Sequence, residues 1–127
     1  MSIPDTLENF DVPAAVARML DQPALWWQAL ALFVGHFADW EDAWLASVGD
    51  DAGERRLVHA LRSAAANVGA TKLSASAAAL DDLLLQGQGG TAASVFESLR
   101  RQLQQDFRQA WRTADAALRQ GRRESAD

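Results

Sequence analysis

The chain contains two histidines, His36 and His59, and no cysteine. Thiol chemistry, disulfides and zinc–cysteine sites are therefore excluded. Two histidines are too few for a histidine-rich metal site, and neither belongs to a Glu-x-x-His pair of the kind that carboxylate-bridged metal sites use. The sequence also has no glycine-rich phosphate loop and no Walker-type lysine. What remains is chemistry that a single histidine can perform.

His59 lies in a segment with helical periodicity, on the side opposite the apolar residues. At about 100° per residue, it falls roughly 170–180° from the centre of the apolar cluster and should face water. An exposed imidazole is largely neutral at cell pH and can attack a phosphoryl group as a nucleophile. The cluster consists of Leu57, Leu61, Ala64 and Val68, widened by Val58 and Ala65.

Basic and small side chains surround His59 on this outer face. Arg55 and Arg62 lie one helical turn before and after it, and Ala52, Ser63 and Ala66 are nearby. Guanidinium groups suit phosphate oxygens, and small side chains let a partner approach closely. The helical position alone does not separate such a site from an ordinary surface histidine beside solvated arginines.

Helical periodicity runs through most of the chain and predicts five helices, with no competing strand pattern. The first is short and opens at Asp11 and Pro13, and the second carries an apolar stripe from Trp26 to Trp44. The predicted ranges are 13–20, 23 to the break at 49–51, 52–68, 71–86 and 91–118.

Residues at the breaks predict how these helices begin and end. Asp51 with Glu54 resembles a capping box, and Thr71 and Thr91 are placed to cap the last two helices. Gly69 is placed to end the third helix in the left-handed conformation.

The four longer helices are joined by short connections, so neighbours should be antiparallel. We predict an all-α fold, an antiparallel up-down four-helix bundle with a short extra N-terminal helix packed on one end. The expected organisation is an N-terminal extension over 1–8, the bundle over 9–120 and a disordered C-terminal tail over 121–127.

The stretch 59–73 resembles the signature of the histidine phosphotransfer (HPt) family, H-x-L-K-G-x-x-x-x-x-G-A-x-x-L. The following Leu80-Asp81 resembles the family's Leu-Glu pair, and Asn9-Phe10-Asp11 and the helix near Phe37 resemble its N-terminal half. The resemblance covers about residues 9 to 118. The matching signature positions are His59, Leu61, Gly69, Ala70 and Leu73.

The resemblance implies a role for each residue near His59, which becomes the phosphoacceptor. Arg62 takes the position of the family lysine and keeps its positive charge, and Ser63 replaces the family glycine with a small side chain whose hydroxyl could bond the phosphoryl group. Asp81 matches a family glutamate or glutamine that bonds the other imidazole nitrogen, although an ordinary boundary carboxylate is an equally open interpretation. No motif surrounds His36, which we interpret as structural.

The implied function is that of a histidine-containing phosphotransfer protein in a two-component phosphorelay. Nε2 of His59 accepts a phosphoryl group from a receiver aspartate and passes it to another receiver, while Arg62 and Arg55 offset the charge on the transferring group. The chain would be a phosphocarrier rather than a kinase and would have no cofactor of its own, because the partner receiver would supply the divalent metal. The implied partners are response-regulator receiver domains, with a hybrid sensor kinase as a further candidate.

Two other interpretations stay open. A helical adaptor could bind receivers without being phosphorylated, and Ser63 in place of glycine is its best support. A kinase fragment with a dimerising helix pair is disfavoured, since four helices in one chain complete a bundle and no ATP-binding domain follows.

Composition predicts where the protein works. The net charge of -5 favours solubility and argues against nucleic acid as a partner. The acidic start lacks the positive region of a secretory signal, and the apolar run 24–38 is too short and too polar to span a bilayer. We therefore expect a cytoplasmic monomer that does not bind membranes.

Overall fold

The computed structural model describes residues 2–4, 6–87 and 92–126, with side chains as far as Glu124. Within these ranges the chain forms helices and no strand, and Leu7 and Phe10 make an isolated bridge. The prediction of an all-α fold is confirmed for this part of the chain. The helices are α1 (Val12–Arg18), α2 (Pro23–His36), α3 (Trp40–Ser47), α4 (Asp51–Val68), α5 (Thr71–Gln86) and α6 (Ala93–Ala126).

The single helix predicted between Pro23 and the break at 49–51 is wrong, because α2 ends at His36 and α3 begins at Trp40. The apolar stripe continues across the turn between them. Trp40 stacks on Trp44 with ring centroids 5.0 Å apart, and its indole nitrogen donates to the carbonyl of Leu57 at 3.0 Å. The three-four spacing therefore reported which residues are buried and not whether the helix axis is continuous.

The cap of α4 differs from the predicted capping box by one residue. Asp50 is the N-cap, and its carboxylate accepts a hydrogen bond from the backbone N–H of Gly53 at 3.3 Å. Asp51 is the first helical residue instead. Glu54 turns into the core, where Arg100 of α6 binds both of its carboxylate oxygens at 2.7 and 2.8 Å.

The connection between α4 and α5 is the tightest in the fold. Gly69 ends α4 at φ +86, as predicted. A side chain there would meet the carbonyl oxygen of Asp11 at 2.6 Å, so glycine is needed for space as well as for conformation. The prediction that Thr71 caps α5 is wrong, since Thr71 is its first helical residue and Ala70 the N-cap. The cap predicted at Thr91 lies outside the described residues.

Helix α6 continues past its predicted end at Leu118. Leu118 is buried and Gly121 is also buried, so the helix still packs on the body of the protein there. The structure gives helix as far as Ala126, where a tail was expected from residue 121, and the division into bundle and disordered tail stays a prediction. The boundary at residue 8 stays a prediction.

The four longest helices close a ring of contacts around the core. Helix α4 packs on α5, α5 on α6, α6 on α2 and α2 on α4, with the most extensive contact between α4 and α5. Helix α1 packs on α2 and α4, and α3 packs on α4. The ring agrees with a four-helix bundle, whereas the up-down order of the helices stays a prediction. None of the described helices is both long and apolar enough to cross a membrane.

Candidate functional site

His59 projects outward from α4, with 57 % of its side chain exposed. The predicted outward position is confirmed, but the buried face of α4 is rotated from the predicted one. Leu57 and Ala64 are only partly buried, which places His59 about 150° rather than 170–180° from the centre of the buried face. The imidazole therefore leans toward α5 instead of pointing straight into solvent. The buried positions of α4 are Gly53, Glu54, Val58, Leu61, Ala65 and Val68.

A buried carboxylate on α5 meets this imidazole. Nδ1 of His59 lies 2.8 Å from Oδ2 of Asp81, whose side chain is 3 % exposed. Asp81 follows the fully buried Leu80 on α5. The structure thus brings together the two residues that sequence reasoning paired only through a family resemblance.

Two arginines of α4 contact the same carboxylate. Nη1 of Arg62 donates to Oδ2 of Asp81 at 3.1 Å. Nε of Arg55 lies 3.2 Å from Oδ1, close enough for an ion pair but not aligned as a hydrogen bond. Arg55, His59 and Arg62 are spaced by four and three residues, so they form one stripe of α4 that faces α5.

The contacts of Asp81 fix its charge. Burial raises the pKa of the Asp81 carboxyl, but hydrogen bonds from His59 and Arg62, together with the positive charge of Arg55, outweigh burial and hold the pKa below its ordinary value. Asp81 is therefore a carboxylate at neutral pH and can only accept hydrogen bonds.

This charge decides which nitrogen of His59 is free to react. The proton between His59 and Asp81 must belong to Nδ1, because the carboxylate has none to give. In the neutral imidazole, Nε2 then carries the lone pair. No described residue hydrogen-bonds Nε2, so an unblocked nitrogen nucleophile faces outward from the bundle.

Arg62 is held by a second carboxylate as well. The same Nη1 atom lies 3.2 Å from Oδ1 of Asp82, the next residue of α5. The hydrogen bond to Asp81 is the main reason that the pKa of Arg62 is raised, and Asp82 adds to it. Asp82 was not singled out by sequence reasoning, although its position beside Asp81 in the sequence was the available signal.

A polar groove borders the site between α4 and α5. Ser63 is exposed on its rim next to Arg62, and it makes no hydrogen bond to the described residues. Arg18 of α1 enters the same groove and donates from Nη2 to the carbonyl of Ala66 at 2.8 Å. Sequence reasoning missed Arg18, and no local pattern could have revealed it, because α1 reaches α4 only through tertiary packing.

An apolar groove of about 280 Å³ lies between α2 and α4, and it shares Asn67 with the polar groove. Leu32 on its rim is 60 % exposed. His36 is exposed and lines this groove, and no described residue hydrogen-bonds it, so the structural role expected for His36 has no hydrogen bond to support it. No three His, Asp or Glu side chains of the described residues cluster as metal ligands.

Comparison with known proteins adds one finding. A family model described as Hpt domain matches residues 28–113. The matched segment contains Asp81, Asp82 and the three side chains of α4 that contact them, which are Arg55, His59 and Arg62. No curated protein and no solved structure matches the chain.

Proposed function

From the premise that the chain belongs to the Hpt domain family, we propose that it carries a phosphoryl group on Nε2 of His59. Hpt domains perform histidine phosphotransfer in phosphorelays and are phosphocarriers rather than kinases. One observation supports His59 as the acceptor: the hydrogen bond of 2.8 Å from Nδ1 to the buried, ionised Asp81 leaves Nε2 outward with its lone pair.

In the proposed reaction, the donor is an aspartyl phosphate on a receiver domain. The Nε2 lone pair forms the new N–P bond while the P–O bond to the aspartate breaks, and the electron pair of that bond leaves with the receiver carboxylate. The Nδ1 proton stays on the ring, which therefore gains positive charge as the N–P bond forms. Asp81 faces that charge at 2.8 Å and stabilises it. Transfer to a second receiver is the reverse sequence.

The arginines act on the phosphoryl oxygens in this proposal. Arg55 and Arg62 lie one turn from His59 and are each 38 % exposed, so solvent and an incoming group can reach both side chains. Their fixed positive charge offsets the charge that spreads over the oxygens during transfer. Ser63, exposed on the same rim, is close enough in the helix to offer a hydroxyl donor.

The surface around His59 suits a protein partner. Ala52 and Ala66 are exposed and small, so a receiver can bring its aspartate close to the imidazole. The apolar groove beside Leu32 and the polar groove that Arg18 enters adjoin at Asn67, on the C-terminal half of α4. We assign these surfaces to receiver docking, with a hybrid sensor kinase as one source of such a receiver. The chain acts as a cytoplasmic monomer without a cofactor of its own, and the divalent metal of the reaction belongs to the receiver.

The proposal is tested by mixing the chain with receivers that carry radiolabelled aspartyl phosphate. Label should move to the chain and there be labile in acid but stable in base, as phosphate on nitrogen is. The transfer should reverse when excess unphosphorylated receiver is added. A chain that binds receivers tightly and never takes the label would instead be a helical adaptor.

A further inference from the structure

The guanidinium of Arg62 is held away from the position where the proposed phosphoryl group would sit. Its Nη1 atom is shared between Oδ2 of Asp81 at 3.1 Å and Oδ1 of Asp82 at 3.2 Å. The Asp81 oxygen is the one that also accepts the Nδ1 proton of His59. Arg62 is therefore on the Nδ1 side of the imidazole, whereas the phosphoryl group would be attached at Nε2.

The two carboxylates hold Arg62 differently. Asp81 is buried and also holds His59, so its contact with Arg62 belongs to the packed interface of α4 and α5. Asp82 has 62 % of its side chain exposed and no other described partner. An ion pair so exposed contributes little to stability. Its clearest physical effect is to add a second restraint to the guanidinium nitrogen that Asp81 also contacts.

We propose that Asp82 is a positioning residue that restrains Arg62 and so limits how strongly Arg62 binds a phosphoryl group on His59. The inference rests on the proposed function and deepens it. For a guanidinium nitrogen to bind phosphoryl oxygens at Nε2, Arg62 must turn and give up its contact with Asp82. That contact thus opposes formation of phosphohistidine and favours its discharge to the next receiver. A carrier benefits from this balance, because a phosphoryl group held too firmly is not passed on.

The simplest variant, Asp82→Asn, keeps the shape of the side chain and removes its charge. Phosphohistidine should be favoured about two- to fivefold at equilibrium with a receiver, the range expected for an exposed ion pair. Direct repulsion between Asp82 and the phosphoryl group would shift the equilibrium in the same direction. This variant alone therefore does not distinguish that repulsion from a restraint on Arg62. The deciding comparison repeats Asp82→Asn in an Arg62→Ala background.

The experiment measures the distribution of label between receiver and chain at equilibrium for wild type, Asp82→Asn, Arg62→Ala and the double variant. Asp82→Asn should shift the distribution in wild type and leave it unchanged when Arg62 is absent. Asp82→Glu, which keeps a carboxylate, should remain close to wild type. Asp115→Asn is the matched control, since Asp115 pairs with Arg119 of α6 at 3.0 Å and not with any residue of the site.

A second measurement needs no phosphorylation. Rotation of the Arg62 guanidinium, followed by nitrogen NMR, should become faster in Asp82→Asn and not in Asp115→Asn. Unchanged rotation, or an equal shift of the label with and without Arg62, would overturn the inference while leaving the proposed function intact. A wild-type chain that never takes the label would overturn the proposed function, and the rotation data would then show only whether the restraint on Arg62 exists.

Discussion

Asp81 of α5 accepts a hydrogen bond from Nδ1 of His59 across 2.8 Å, although aspartate is one methylene shorter than the glutamate that the family resemblance led us to expect. Helices α4 and α5 make the most extensive helix contact of the fold and are joined directly at Gly69 and Ala70. At this interface the aspartate side chain is long enough to reach the imidazole. The same residue holds Arg55 and Arg62, which makes Asp81 the centre of the candidate site.

Substitutions in the core of α4 should lower the free energy of unfolding more than substitutions on its outer face. Leu61 is fully buried, so Leu61→Ala should lower the free energy of unfolding by about 2–5 kcal/mol. His59→Ala should cost less than about 1 kcal/mol, because the imidazole is exposed and Asp81 keeps both arginines. Urea unfolding followed by circular dichroism measures both. A His59→Ala variant as unstable as Leu61→Ala would contradict the outward placement of His59.

Asp81→Asn should change which ring nitrogen of His59 carries the proton. An amide holds the ring less firmly and can present either a donor or an acceptor to Nδ1, so the tautomer is no longer fixed. We expect nitrogen NMR to show a mixture of tautomers, and transfer to slow by about tenfold, or roughly 1.4 kcal/mol in the barrier. Asp106→Asn is the matched control, since Asp106 is also buried but bonds Ser76 and Gln102 instead. An unchanged NMR spectrum of His59 in Asp81→Asn would show that Asp81 does not fix the tautomer of the imidazole.

The ionisation of Asp81 should also make stability depend on pH. The pKa of this carboxyl is lower in the folded chain than its ordinary value near 3.8, so the unfolded chain binds more protons as the solution is acidified. The stabilisation is complete above the ordinary pKa and is lost as pH falls through the folded one. The difference in unfolding free energy between wild type and Asp81→Asn should therefore shrink as pH is lowered from about 5 to about 2. A difference that stays constant over this range would show that folding does not change the pKa of Asp81.

Removal of Arg62 should slow transfer more than it weakens docking. Charge moves over the phosphoryl oxygens during the reaction, whereas docking also draws on the apolar surface beside Leu32. Arg62→Ala should cost about tenfold in single-turnover rate at saturating receiver, the effect of about 1–2 kcal/mol. Arg62→Lys should keep most of the rate, because a point charge suffices for one phosphate contact. Equal rates for wild type and Arg62→Ala would show that Arg62 does not act on the phosphoryl group and only pairs with Asp81 and Asp82.

Local pattern predicted the helices better than their ends. Gly69 is left-handed, as the tight turn requires, and four of the six apolar positions predicted for α4 are buried, namely Val58, Leu61, Ala65 and Val68. The interruption between His36 and Trp40 was missed, because Phe33 before it and Trp40 after it are both buried, so the apolar pattern continues across the break. The cap at Asp50 was missed because Glu54, the expected capping partner, is drawn into the core by Arg100.

The candidate site could be predicted only in part for a similar reason. Spacing alone put Arg55, His59 and Arg62 on one outer stripe of α4. The rotation of that stripe toward α5 depends on which residues are buried, and Asp82 and Arg18 enter only through the packing of α5 and α1. No periodicity within α4 contains that information.

The central claim is that His59, and not another residue, carries the phosphoryl group. The most direct test compares wild type, His36→Gln and His59→Gln after incubation with a receiver labelled on its aspartate. Wild type and His36→Gln should take up acid-labile label to the same extent, with a phosphorus NMR signal typical of phosphate on Nε2, and His59→Gln should take up none while still binding the receiver. Label on His59→Gln would contradict the account and place the acceptor elsewhere, with His36 the other histidine of the sequence.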